Sequence, residues 1–215
     1  MKIKVCGITV FEQLVELQEM GVDYAGLIFY NQSPRFVLHK IDSNNFLLSK
    51  LIIQKVGVFV NASEEEIMKQ VEAFALDLVQ LHGDETPAFC AHISDHVKVI
   101  KAFRLNNKSE QHIDWMVKPY EEACDYYLFD TKTDAAYGGS GEKFNWSVFD
   151  DNHINKPFFL SGGIGIHDAE AIRQIDHPFL FAVDLNSGFE LEPGIKDMGK
   201  LRSFIKMINK NETLK

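Results

Sequence analysis

Eight short runs of β-branched, aliphatic and aromatic residues recur along the 215-residue chain, separated by helix-like or connecting segments. The runs are nearly continuous in apolar residues, a pattern typical of strands buried on both faces of a parallel sheet. Parallel strands need crossover connections, and the intervening segments can supply them. The pattern predicts eight parallel strands, at Ile3–Cys6, Tyr24–Phe29, Val56–Val60, Leu78–Leu81, Val97–Phe103, Tyr126–Phe129, Pro157–Leu160 and Phe179–Val183.

Helical signals occupy several of the segments between these runs. Gly21 follows an amphipathic stretch and is typical of a residue that ends a helix. Ser63 and Glu66 form the pattern of a capping box, which predicts a helix beginning just after Ser63. Helical spacing also marks residues 167–175 and 198–208. We therefore expect strands and helices to alternate through most of the chain.

A single closed barrel accounts for this alternation. The second and sixth units are the weak ones, because residues 31–40 and 138–146 resemble loops. Neither stretch has the composition of an interdomain linker, so the sequence predicts one domain, residues 1–215, folded as a (βα)8 TIM barrel. The structural alternative is an open doubly wound sheet. Such a sheet usually has fewer strands, and the G-x-G-x-x-G motif that often follows its first strand is missing here.

Charge and cysteine content limit the partners and the compartment. The chain has 22 Lys and Arg against 31 Asp and Glu, a net charge of −9, which argues against a nucleic-acid partner because phosphate neutralisation needs clustered cations. No apolar run is long enough to span a membrane, and the apolar N-terminus is too short for a signal peptide. Cys6, Cys90 and Cys124 fit neither a disulfide framework nor a zinc site. We expect a cytoplasmic protein without membrane contact.

Two glycine-containing loops follow the seventh and eighth predicted strands, at residues 161–165 (Ser-Gly-Gly-Ile-Gly) and 184–188 (Asp-Leu-Asn-Ser-Gly). In a barrel, function lies at the carboxyl ends of the strands, and the last two loops commonly hold phosphate. Backbone N–H groups around glycines can converge on an anion, although glycines also serve simply to make tight turns. The adjacent placement of the two loops favours a ligand that carries a phosphate.

Two reactive side chains end predicted strands. Asp130 ends the sixth, where a partly desolvated carboxyl suits a general acid; the alternatives are an ion pair with Lys132 or a loop cap. Cys6 ends the first, where it could act as a base or nucleophile if a helix end or a cation lowers the pKa of the thiol. The alternative for Cys6 is a buried inert thiol, which is our interpretation of Cys90 and Cys124.

Two further side chains are candidates for binding a ligand. Arg35, in the loop after the second predicted strand, could bind a substrate carboxylate bidentately or be a solvated surface arginine. His82, directly after the fourth strand, could donate to the ligand or be satisfied within the barrel rim. His82, Asp130 and Asp184 could also converge on a metal ion, but the other histidines fall on helices or loops, so we expect no catalytic metal.

The sequence resembles the phosphoribosylanthranilate isomerase family over nearly its whole length. The resemblance implies a TIM barrel that catalyses, without a cofactor, the Amadori rearrangement of N-(5-phosphoribosyl)anthranilate to 1-(2-carboxyphenylamino)-1-deoxyribulose 5-phosphate. The matching segments, in chain order, are Lys4–Thr9, Gly26–Tyr30 with Ser33–Arg35, Val56–Asn61, Val79–Gly83, Phe129–Lys132, Gly138–Gly141 with Phe144–Trp146, Leu160–Gly163, and Val183–Gly188 with Glu190, Pro193–Gly194 and Lys196–Asp197.

The resemblance also implies roles for Asp130, Cys6, Arg35 and the two glycine loops. Asp130 falls at the family's general acid, which protonates the furanose ring oxygen, and Cys6 falls at the base, which removes the C2 proton. Arg35 falls at the position that anchors the anthranilate carboxylate. The substrate phosphate would bind the backbone amides around Gly162, Gly163, Ser187 and Gly188. The chain departs from the family at Leu185 and Asn186, where small residues are usual, so the Asn186 side chain could add a contact to the loop.

Other functions remain as alternatives. Another phosphosugar barrel is one: an epimerase would need metal ligands at several strand ends, and an indole-glycerol-phosphate synthase would need a lysine general acid, for which Lys101 is the candidate. A non-catalytic phosphate binder is another, although such a protein needs neither Cys6 nor Asp130. The expected partner is a small phosphosugar, and we expect a monomer or a homodimer.

Overall fold

Eight parallel strands close into a barrel in the computed structural model, which describes residues 1–105, 113–131, 145–151 and 154–209. Each strand pairs with the next in chain order, and the last pairs with the first. The prediction of eight parallel strands in a TIM barrel is confirmed. The strands are β1 (Lys2–Cys6), β2 (Tyr24–Ile28), β3 (Gln54–Phe59), β4 (Leu78–Leu81), β5 (Lys98–Leu105), β6 (Tyr126–Thr131), β7 (Phe158–Leu160) and β8 (Leu180–Leu185).

Helices follow the strands on the outside of the barrel. They are α1 (Phe11–Glu19), α2 (Asn44–Leu48), α3 (Glu64–Ala73), α4 (Pro87–Ser94), α5 (Ile113–Val117), α6 (Val148–Asp151), α7 (Ala169–Arg173) and α8 (Met198–Ile208). Within the described ranges, none of these helices combines the length and apolar character needed to cross a bilayer. A short antiparallel hairpin, β9 (Glu190–Glu192) and β10 (Ile195–Lys196), lies between β8 and α8.

The predicted helix signals have the expected local geometry. Ser63 accepts a hydrogen bond from the Glu66 N–H, and the Glu66 side chain accepts in return from the Ser63 N–H, so the capping box is formed. Gly21 has a φ of 78°, the left-handed conformation that favours glycine after a helix. The weak second unit has only the five-residue helix α2 after its long loop. Most of the loop predicted at 138–146 lies outside the described residues.

Alternate residues of each strand face the barrel interior, and this alternation places the site above the core. Large apolar side chains buried there each contribute about 1.5–3 kcal/mol to folding. These apolar side chains form a packed layer inside the barrel. Two positions further along their strands, Gln80, Asp130 and Asp184 line the barrel mouth. A step of two residues along β6 therefore changes the environment from apolar to polar. The packed layer consists of Tyr24, Val56, Leu78, Ile100, Ala102, Leu128, Phe159 and Ala182.

The two cysteines interpreted as inert are buried in the outer core, between the strands and the helices. Cys90 lies on α4 and Cys124 precedes β6, and both are free thiols. Burial raises the pKa of Cys90 to about 11 and that of Cys124 to about 12, so both stay protonated and unreactive near neutral pH.

Candidate active site

A cavity of about 880 Å³, counting the space that opens to solvent, occupies the barrel mouth at the carboxyl ends of the strands. TIM barrels place their active sites at this end. Every residue that the sequence analysis assigned to catalysis, substrate binding or phosphate binding lines this one cavity. They are Cys6, Arg35, His82, Asp130, Gly162, Gly163, Ser187 and Gly188.

Cys6 is the last residue of β1 and lies beside a buried ion pair. Lys4, two residues earlier, is fully buried, and its Nζ lies 2.9 Å from Oδ1 of Asp184 on β8. Burial raises the pKa of Cys6 above the ordinary value of a thiol, although the Lys4 ammonium acts in the opposite direction. The cation that the sequence argument required is therefore present, but burial outweighs it. At rest Cys6 is a protonated thiol next to a charge that stabilises its thiolate.

The buried Lys4–Asp184 pair should contribute to the stability of the fold. Replacing Lys4 by Met leaves the Asp184 carboxylate buried without a counter-ion, so we expect the free energy of unfolding to fall by about 3–5 kcal/mol, as measured by denaturant titration. The double variant Lys4→Met/Asp184→Leu should recover most of that loss, because apolar residues of similar size can replace a buried ion pair. Equal stability of the single variant and the unaltered chain would show that the pair contributes nothing.

Asp130 lies at the end of β6 with its carboxylate held from one side. Oδ1 accepts a 2.9 Å hydrogen bond from the Thr131 N–H, and Oδ2 lies 3.3 Å from Nε2 of His82. That second contact is close but not aligned as a hydrogen bond, since Nε2 has no hydrogen-bond partner among the described residues. The alternative that His82 is fully hydrogen-bonded within the barrel rim is therefore excluded for Nε2. It remains available to a ligand or to Asp130.

Gln80, which the sequence analysis missed, determines how His82 can act. Its Nε2 lies 2.7 Å from Nδ1 of His82, and both side chains are buried. With the amide as donor, Nδ1 is the acceptor and the ring proton is on Nε2, on the side of Asp130. The alternation of β4 could have revealed this residue, because Gln80 is the polar member of an otherwise apolar inward face.

Arg35 is held by a carboxylate of the protein itself. Its Nε and Nη2 donate to both carboxylate oxygens of Glu190 at 2.6–3.1 Å, while Nη1 has no partner within the described part of the chain. Arg35 is 9% exposed, so the interpretation as a solvated surface arginine is wrong. The guanidinium instead lies fixed at the cavity wall, with one nitrogen left for a ligand.

A second buried cation completes this cluster. Nζ of Lys196 lies 2.7 Å from Glu190 and donates to Oδ1 of Asn186 at 2.9 Å. Burial acts to raise the pKa of Glu190, but hydrogen bonds and charges from Arg35 and Lys196 outweigh burial and hold it below its ordinary value. The departure from the family at Asn186 therefore does add a contact, and the contact is to Lys196.

The two glycine loops touch each other and form one concave wall. Gly162 and Gly163 have φ values of 93° and 64°, which other residues adopt only with strain. A Cβ on Gly188 would collide with the backbone carbonyl of Ile164. Ser187–Phe189 is a single 3₁₀ turn, so its first N–H groups have no partner within the turn. Among the described residues, the backbone N–H groups of Gly162, Gly163, Ser187 and Gly188 make no intramolecular hydrogen bond.

The remaining candidates are placed elsewhere. Lys101 is buried, lies 2.7 Å from Oε2 of Glu85 and donates to the carbonyls of Leu81 and Gly83. Its ammonium is thus fully occupied in holding the loop after β4, which does not favour the synthase alternative. Lys132, the alternative ion-pair partner of Asp130, lies outside the described residues.

A closed eight-stranded barrel with a thiol, a carboxyl, a fixed guanidinium and a glycine-lined wall around one cavity defines the class: a TIM-barrel enzyme for a small anionic substrate. The model of the N-(5'-phosphoribosyl)anthranilate (PRA) isomerase family matches residues 3–207. The chain belongs to this family, whose members are isomerases of tryptophan biosynthesis.

Individual relatives are similar over their whole length. The chain is 42% identical to the N-(5'-phosphoribosyl)anthranilate isomerase of Parabacteroides distasonis, over 97% of this chain and 93% of that one. It is 32% identical, with a TM-score of 0.79 and coverage of 97% and 98%, to monomers generated from the dimeric enzyme of Thermotoga maritima. It is 30% identical, with a TM-score of 0.80 and the same coverage, to a phosphoribosylanthranilate isomerase in complex with reduced 1-(o-carboxyphenylamino)-1-deoxyribulose 5-phosphate.

Proposed function

We propose that this chain converts N-(5-phosphoribosyl)anthranilate to 1-(2-carboxyphenylamino)-1-deoxyribulose 5-phosphate, with Asp130 as general acid and Cys6 as general base. The observation that carries the proposal is that a buried thiol and a strand-end carboxyl line the same cavity as two glycine loops with unpaired N–H groups. The reaction needs one group to give a proton, one to take a proton, and a site for phosphate. This cavity offers all three.

The first step opens the sugar ring. Asp130 gives its proton to the furanose ring oxygen, the bond between that oxygen and C1 breaks, and the nitrogen lone pair forms a protonated Schiff base. His82 lies 3.3 Å from the Asp130 carboxylate with its unpartnered Nε2, so its N–H can stabilise the carboxylate that this step creates.

The second step moves the C2 proton. The Cys6 thiol first gives its proton to solvent in the open cavity. The resulting thiolate takes the C2 proton, the C–H electrons form a C1–C2 double bond, and the Schiff base becomes a neutral enolamine. The enolamine loses its C2 hydroxyl proton and gains one at C1 to give the ketone. The atoms balance without a cofactor. Lys4 and Lys196 stabilise the thiolate against burial, and the cationic Schiff base is a further positive charge that favours ionisation of the thiol.

The remaining residues bind the two anionic ends of the substrate. The phosphate is bound by the N–H groups of Gly162, Gly163, Ser187 and Gly188, which need no side-chain cation. The anthranilate carboxylate is bound by Arg35. Because Glu190 already occupies two guanidinium nitrogens, the substrate either uses Nη1 or displaces one of the Glu190 contacts.

Replacing Arg35 by Ala should raise KM by roughly 10- to 100-fold, which corresponds to the loss of a hydrogen bond between charged groups, with a smaller change in kcat. Steady-state kinetics on the anthranilate-bearing substrate measures both constants. Arg202→Ala is the matched control, since Arg202 lies on α8, pairs with Glu16 and is exposed. An unaltered KM in Arg35→Ala would place the carboxylate site elsewhere.

The test of the proposed function is a fluorescence assay. Freshly generated phosphoribosylanthranilate should lose its anthranilate-type fluorescence on addition of the chain, at a rate proportional to enzyme concentration and unchanged by a chelator. The absence of turnover would overturn the proposal, and turnover that a chelator abolishes would replace acid–base chemistry with metal chemistry.

The organisation of the protein is part of the proposal. We propose that residues 1–215 form one domain, that the enzyme is a monomer or homodimer with a phosphosugar substrate and no nucleic-acid partner, and that it is cytoplasmic. The three free cysteines support a reducing compartment, and the dimeric relative from Thermotoga maritima supports a homodimer as one of the two states.

A further inference from the structure

Two histidines and one glutamate converge on the outer surface, outside the lining of the barrel-mouth cavity. Nε2 of His92 lies 3.0 Å from Oε2 of Glu64, and the rings of His92 and His96 are 5.7 Å apart between centroids. One donor atom from each of the three side chains lies within 4.8 Å of the other two. None of the three lines the catalytic cavity, and neither the barrel nor the proposed reaction uses them.

Local structure explains why these side chains meet. His92 is in the last turn of α4, and the helical turn continues past Ser94, because the Asp95 N–H bonds to the Ala91 carbonyl and the His96 N–H to that of Ile93. Residues four apart on a helical turn share one face, which places both imidazoles side by side. Glu64, the first residue of α3, adds a carboxylate from a second helix.

We propose that Glu64, His92 and His96 bind a divalent transition-metal ion of the zinc, nickel or copper class at this surface. Imidazole nitrogens select these ions over magnesium and calcium, which prefer sets of oxygen ligands. In a tetrahedral zinc site with bonds of about 2.1 Å, neighbouring donor atoms lie roughly 3.4 Å apart. The observed limit of 4.8 Å thus requires only small rotations of exposed side chains, and water can fill the fourth position.

The surroundings favour binding without a large cost. The side chains of Glu64 and His92 are 45% and 53% exposed, so they keep their hydration until the ion arrives, and the ion is not buried. Glu65 and Asp95, exposed and adjacent in the chain to the ligands, add negative charge. A bound ion would join the first turn of α3 to the end of α4. Its expected effect is therefore on stability, with no role in turnover.

The test is calorimetric titration of the untagged chain with zinc chloride and nickel chloride in metal-free buffer. We expect one saturable site, a melting temperature that rises with metal concentration, and affinity at least about tenfold weaker in His92→Ala and in His96→Ala, each of which removes one of three ligands. Glu64→Gln should weaken binding less, since an amide oxygen can still coordinate. His39→Ala, at another exposed histidine, is the control and should bind as the unaltered chain does.

Two outcomes of the titration would contradict the metal site. The absence of a saturable site would overturn the proposal, and so would a site that binds metal as tightly in His92→Ala and His96→Ala as in the unaltered chain. Because all three side chains are exposed, the variants should fold normally, which far-UV circular dichroism verifies. Neither result bears on the isomerase reaction, whose rate is measured separately in the presence of a chelator.

Discussion

Asp130→Asn should lower kcat by about 10²- to 10⁴-fold, the usual contribution of a positioned general acid. The amide has the same shape and can still accept the Thr131 N–H, so the local hydrogen bond of β6 is kept. It cannot give a proton to the ring oxygen, and the ring-opening step loses its acid. Stopped-flow or steady-state fluorescence on freshly made substrate measures the loss.

The control for Asp130→Asn is binding of reduced 1-(o-carboxyphenylamino)-1-deoxyribulose 5-phosphate, a compound already open at the ring. Affinity for this probe should change little, because its binding needs no proton transfer, and the melting temperature should match that of the unaltered chain. A kcat within a fewfold of the original would remove Asp130 from the mechanism. A low kcat accompanied by a comparable loss of affinity for the probe would mean that Asp130 positions the substrate instead.

Cys6→Ser should lower kcat by a similar factor, about 10²- to 10⁴-fold, because a serine hydroxyl is a far weaker proton acceptor than a thiolate. Serine is nearly isosteric with cysteine, which suits a tight site: a Cβ added to Gly26 on β2 would collide with Sγ of Cys6. Substrate deuterated at C2 adds a sharper reading. Cleavage of this bond should become fully rate-limiting, so the isotope effect on kcat should rise in the variant.

Cys90→Ser is the matched control for Cys6→Ser, because both thiols are buried but Cys90 lies in the outer core on α4. It should leave kcat unchanged even where it lowers stability. Equal losses in the two variants would indicate a general effect of a buried hydroxyl. Near-normal turnover in Cys6→Ser would assign the base to another group.

Much of the barrel and of its mouth was predictable because the relevant signals are local. An apolar run buried on both faces can be recognised from a few residues, and the residue that ends the run, such as Cys6, then lies at the mouth. The glycine loops could be recognised in the same way, because the tolerance of positive φ that Gly162 and Gly163 use in the fold is a property of glycine itself. These predictions needed only chain order and a barrel.

The ion pairs could not be predicted, because they join residues that are distant in the chain. Arg35 meets Glu190 across 155 positions, and Lys4 meets Asp184 across 180. Local pattern offers no partner for either cation, so Arg35 kept the alternative of a surface arginine, and no local signal marks Lys4 as part of the site. The pKa of Cys6 could not be predicted for the same reason, because the balance between burial and a nearby cation depends on the Lys4–Asp184 pair.

The strand that carries the thiol is also one side of the seam where the barrel closes. Lys4 on β1 is paired in register with Asp184 on β8, the first strand of the chain with the last. During synthesis β1 emerges early, yet its lysine stays without a counter-ion until nearly the whole chain has been made. Secondary structure can form before that moment, whereas the electrostatic environment of the thiol cannot. Catalytic turnover therefore reports closure of the barrel. A barrel that is truncated or frayed at the contact between β1 and β8 would lose turnover before it loses its helices.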